Sequence, residues 1–193
     1  MSLSLDDVLP NETFLAHRRR LEAAVLQAKA VRRLALGANM TLLFENSATC
    51  LWQVQEMCRV EGITAPTAIQ HELDTYNALL PGPADLSATL LIDVADPSER
   101  CTLLHQLVGL DQALALHLGD EPPAPARFDG EQFNAVRVSA VQFLRIALTA
   151  SQIVALRDLG RPATLTCTHP AYAVDSPLPL TLRAALAEDL ALA

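Results

Sequence analysis

The chain has 193 residues, 51% of them hydrophobic, with a net charge of −8 and a mean hydropathy of +0.24. That is enough for one domain or two small ones with an unstapled core, and the composition excludes disorder. The acidic balance argues against a nucleic-acid partner. No apolar run approaches the roughly 20 residues of a membrane span, and residues 1–10 lack a basic leader, so a cytoplasmic protein without a membrane partner is expected.

After Pro10, Asn11 or Thr13 can cap a long helix running to about Leu36. Its Leu21, Ala24, Ala28, Val31 and Ala35 make a narrow stripe of mostly small residues that lets another helix come close. Arg18, Glu22, Lys29 and Arg33 lie on the other side, readable as a solvated face with an Arg18–Glu22 pair or as an anion- or partner-binding stripe. Gly37 ends this helix, and Thr41–Phe44 is a short extended run. Asn46 then caps a helix over Ser47–Glu61 that stops at Gly62. At about 100° per residue, Cys50, Leu51, Val54, Met57 and Cys58 share its inward face, and Thr49, Trp52, Glu56 and Arg59 the opposite one.

A third helix from Pro66 to Leu80 carries Ile69, Leu73, Tyr76 and Leu80 on its apolar face, with His71 pointing to solvent. The P-G-P break at 81–83 separates a helical segment, 1–81, from a second segment, 84–193. The second segment reads as strand 88–94, helix 97–108, strand 113–118, loop 119–134, strand 136–148, helix 150–159 and strand 163–168. D-P-S-E at 96–99 and T-A-S-Q at 149–152 mark its helix starts. The order βαββαβ predicts an α+β fold: a ferredoxin-like four-stranded sheet with the N-terminal helices on its free face, the two segments forming one compact unit. Strand 88–94 would lie between 136–148 and 163–168, antiparallel to the first and parallel to the second. A C-terminal helix from Pro179 to Leu192 closes the chain, with Leu182, Leu186 and Leu190 as its seam.

The four cysteines, at 50, 58, 101 and 167, have neither C-x-x-C nor metal-knuckle spacing, so free thiols are expected. No phosphate loop, dinucleotide fingerprint, zincin helix or nucleophile elbow is present, and whether the chain is an enzyme stays open. The single Trp lies among hydrogen-bonding residues: Trp52, Gln53, Glu56 and Arg59 form one patch near Glu45. Such a patch either ties helix to loop or holds a polar ligand, with Arg59 gripping a carboxylate or phosphate in bidentate fashion. His169, at a strand end before Pro170, either fixes that turn or does acid–base work. The five histidines are scattered singly and no Glu-x-x-His pair occurs, so no metal or other cofactor is expected.

Five blocks carry a resemblance: F-E-N-S-A-T at 44–49, Q-V-Q-E-M-C-R-V-E at 53–61, E-L-D-T-Y-N-A-L-L-P at 72–81, A-T-L-L-I-D-V at 88–94 and H-P-A-Y at 169–172. Together they resemble an uncharacterised bacterial family, a domain of unknown function. Its genes often stand beside those of a rubrerythrin-like diiron protein and an iron–sulfur oxidoreductase. The resemblance implies an association with peroxide stress or electron transfer, but no catalytic residues. Gln142 stands where a His would be expected in many relatives. Two functions follow as expectations: a cytoplasmic accessory or adaptor protein with a protein partner, or a small-molecule-binding enzyme using the Glu/Arg/Trp patch of the 46–62 helix.

Overall fold

The computed structural model describes residues 2–129 and 136–192, so the end of the expected 119–134 loop lies outside the described residues. After a 3-10 turn at Leu5–Asp7, α1 (Asn11–Val31) leads into β1 (Arg33–Leu36) and β2 (Met40–Phe44). Next come α2 (Ser47–Val60), α3 (Pro66–Asn77), β3 (Asp85–Ile92), α4 (Pro97–Gln106), β4 (Leu114–Leu118) and β5 (Ala124–Phe128). The chain ends with β6 (Val141–Ala147), α5 (Ala150–Arg157), β7 (Ala163–His169), β8 (Tyr172–Pro177) and α6 (Leu180–Leu192).

The strands form one eight-stranded sheet, ordered β1-β2-β3-β6-β5-β4-β7-β8, and every ladder among the described residues is antiparallel. This overturns the four-stranded ferredoxin-like expectation. β3 does run antiparallel to β6, but its other neighbour is β2, not β7. Three strands were missed, each for a local reason. β1 occupies the expected last turn of the first helix. Its Leu34 and Leu36 are buried while Arg33 and Ala35 are exposed, a period of two, and Gly37 at φ +69° turns it back onto β2. β5 runs through the proline-rich E-P-P-A-P-A stretch. Its ladder with β4 spans two residue pairs only, and Pro125 sits exposed there. β8 follows a tight turn at Pro170–Ala171, and its alternation is weak: Ala173, Asp175 and Pro177 are exposed, while Tyr172 and Val174 are only half-buried.

The sheet curls into a nearly closed barrel. Alternate residues point inward, among them Leu36, Leu42, Leu90, Leu116, Leu144 and Leu165, and pack into one core cluster. Its open edges meet at Tyr172, whose hydroxyl donates to Leu36 O (2.9 Å) and accepts from Asn39 N (2.8 Å). α4 covers one end with Leu104 and Leu107; α5 and α6 cover the other with Leu156, Leu182 and Leu186. The buried Arg183 of α6 donates to the carbonyls of Ala155, Leu156, Asp158 and Arg161, satisfying the C-terminal turn of α5.

α2 and α3 cross outside the barrel over β2 and β3, making a second core from Leu3, Cys50, Val54, Cys58, Leu73 and Leu80. For that reason β3 is buried on both faces, including Ser87 and Thr89. α1 lies against α2 and buries Phe14 and Val25; of the stripe expected on it, Leu21 and Ala28 are half-buried, Ala24 and Val31 are exposed, and Ala35 falls on β1. No helix among the described residues is long and apolar enough to cross a membrane.

Candidate functional site

α2 starts where the sequence places it. Asn46 Oδ1 accepts from Thr49 N (3.0 Å), and Asn46 N donates back to Thr49 Oγ1 (2.9 Å). Its Cys50, Val54 and Cys58 point into the second core, which turns Trp52 and Glu56 toward α1. There the indole meets Phe14, with ring centroids 5.5 Å apart and planes tilted by 59°. Arg18 stands over the same ring, its guanidinium carbon 5.6 Å from the centroid.

Glu56 joins the two helices. It accepts from Arg18 Nε (2.8 Å) and from Arg59 Nη2 (2.7 Å), while Arg18 Nη1 also reaches Glu22 (3.0 Å). Burial works to raise the Glu56 carboxyl, but hydrogen bonds and charge from Arg59 and Arg18 outweigh it and hold it below the ordinary glutamate value. The arginines and glutamates satisfy one another, so none is presented to a ligand.

Of the residues singled out from sequence, Trp52, Glu56 and Arg59 come together. Gln53 is half-buried beside them and takes no hydrogen bond among the described residues. Glu45 lies elsewhere, 6% exposed, beneath the start of α2. Its carboxylate accepts from Thr49 Oγ1 (2.5 Å) and Thr89 Oγ1 (2.6 Å), which fastens α2 to β3. His169 is inside the barrel. Its Nε2 is 3.0 Å from Val108 O and its Nδ1 accepts from Ala171 N (3.2 Å), so it fixes the β7–β8 turn. Both His169 ring nitrogens are thereby occupied. Phe14 and Arg18 escaped the sequence reading of this patch. Arg18 is 38 residues from Glu56, and its only local signal is the i,i+4 pair with Glu22.

Beside Trp52, α1 and α2 leave an open groove of about 250 Å³. Its walls are Leu21, Ala24 and Ala28 on one side and Ala48, Leu51 and Trp52 on the other. Gln55 closes one end by bonding the backbone of Leu9 in both directions, and Asp7 is the single ionisable group of the lining. No His, Cys, Asp and Glu cluster able to hold a metal occurs among the described residues.

A family model described as "Protein of unknown function (DUF3501)" matches residues 2–190. A crystal structure of a protein of unknown function from Burkholderia pseudomallei K96243 superposes with a TM-score of 0.91 at 34% identity, covering 98% of this chain and 99% of that one. No curated protein matches the chain.

Proposed function

The chain belongs to the family of proteins of unknown function DUF3501, and within it we propose a cytoplasmic, non-catalytic accessory protein that receives an amphipathic helix of a partner protein in the α1–α2 groove. The observation that carries this reading is the groove itself: open, apolar, walled by two helices and bordered by the chain's single tryptophan. Ala24, Ala28 and Ala48 keep its walls low enough for a third helix to approach. From Phe14 to Ala28 the α1 wall rises roughly 20 Å, about four helical turns.

Charge specifies the occupant further. Arg19, Arg20, Lys29 and Arg33 form no ion pair among the described residues, although the chain is net acidic. Arg20 lies one turn before Ala24, on the groove's edge. A partner helix with an acidic flank fits such a border. The alternative, an enzyme built on Glu45, Glu56 and Arg59, has less support, because Glu45 is held apart from the other two and Glu56 is fully engaged.

The neighbours implied by the family resemblance, a rubrerythrin-like diiron protein and an iron–sulfur oxidoreductase, are the partners to titrate first. With one of them, Trp52 emission changes saturably, the binding weakens with salt, and Ala28→Glu, at a half-exposed site, abolishes it. Saturable binding that Ala28→Glu leaves intact, or no change with either protein, refutes the reading. Sedimentation of the chain alone tells whether a second copy takes the groove instead.

A further inference from the structure

We propose that a second groove, on the outer wall of the barrel, binds a small organic anion with an apolar body, gripped by Arg127. The groove holds about 450 Å³, within the range of small-molecule sites, and is independent of the α1–α2 face. Strand register builds it. Ser87 of β3 stands opposite Arg145 of β6, and Arg145 opposite Arg127 of β5, so three side chains on one face make a row across three strands, running from the buried Ser87 out to the exposed Arg127.

Two members of that row have unused hydrogen-bonding capacity. Arg145 is a strut: Nη1 donates to Asp85 (2.7 Å), and Nη2 donates to Ala78 O (2.6 Å) and Leu80 O (2.8 Å), tying the end of α3 to the barrel. Arg127 is exposed and has neither ion pair nor hydrogen bond among the described residues. The Ser87 hydroxyl likewise has no partner there. Two guanidinium groups directly opposite on antiparallel strands repel. Of the two carboxylates in the lining, Asp85 is committed to Arg145, and Asp129 has an interaction of its own and no ion pair to Arg127 among the described residues. An anion seated on the exposed Arg127 fork, on the side facing Arg145, would remove that repulsion and use a planar group suited to bidentate contact. Leu79 and Phe143, which also line the groove, offer the apolar surface for the rest of such a molecule. These features specify charge and an apolar body together, rather than a bare ion.

The test is calorimetric titration of the full chain with phenylacetate and hexanoate, against phenylacetamide and inorganic phosphate. At least one organic carboxylate should bind saturably, and at least tenfold more tightly than the neutral amide or phosphate. Arg127→Gln, at an exposed position, should weaken that binding tenfold or more, while Arg19→Gln should not change it. Absence of saturable binding by both carboxylates, equal binding of phosphate or the amide, or indifference to Arg127→Gln each overturns the proposal.

Discussion

Arg18 stands 5.6 Å from the centre of the Trp52 ring while its Nε donates to Glu56 at 2.8 Å, so one guanidinium links the aromatic wall of the groove to its charged rim. The two arginines at Glu56 are therefore not equivalent. Arg59 touches only the carboxylate; Arg18 touches carboxylate, indole and Glu22.

Removing Arg59 leaves Glu56 still paired. Arg59→Ala should cost under about 1 kcal/mol in urea unfolding and leave the Trp52 emission in place. Arg18→Ala should shift that emission to the red, because it uncovers one face of the ring. A larger stability loss from Arg59→Ala, or unchanged emission in Arg18→Ala, would contradict this division of roles.

The pH dependence follows from the lowered Glu56 carboxyl. A carboxyl whose folded value lies below its unfolded one adds stability above the ordinary glutamate value, and loses it as pH falls through the folded value. Glu56→Gln should thus be less stable than wild type at neutral pH, the gap closing in acid. A gap that persists at low pH would trace to packing, not to charge.

Glu45 depends on two hydroxyls for its hydrogen bonds. Thr89→Val keeps the shape of the side chain and removes one donor from a buried carboxylate, so a loss of about 1–3 kcal/mol is expected by chemical denaturation. Thr89→Ser, which keeps the hydroxyl, should recover most of it. Equal losses in both variants would assign the effect to the methyl group instead.

Thiol reactivity should separate the four cysteines. Burial pushes the Cys50 thiol up to about 12, aided by the charge of Glu45, and burial also raises Cys58 and Cys167; Cys101 is exposed. One thiol should react quickly with a disulfide reagent in the native protein, and all four in denaturant. A second fast thiol would reveal an opening of α2 or β7.

What could be read from the chain was local. The Asn46 cap of α2, the Asp96–Pro97 start of α4 and the Thr149–Gln152 box of α5 all stand where the spacing put them, because each is complete within four residues. The barrel was not legible, because its pairings are decided far apart. β1 carries only two buried residues, too few to outweigh the helical pattern before it. Arg183 reaches carbonyls 22 to 28 residues away, which no spacing rule anticipates. In the site, Trp52, Glu56 and Arg59 were grouped by helical phase on one element, whereas Arg18 and Phe14 required knowing that α1 lies across it.

The Tyr172 latch also has a kinetic side. Its hydroxyl meets Leu36 O from 136 residues along the chain, so that contact closes the largest loop in the sheet. A pairing of such sequence separation should form late, after the ladders that bring both edges into place. Tyr172→Phe would then leave the folding rate nearly unchanged and accelerate unfolding. Losing the hydroxyl takes the acceptor from Asn39 N–H and a donor from Leu36 O; a cost of roughly 1.4 kcal/mol would make that acceleration about tenfold. Stopped-flow chevrons of the two proteins should differ in the unfolding arm alone, which would make the seam the place where the native barrel first comes apart.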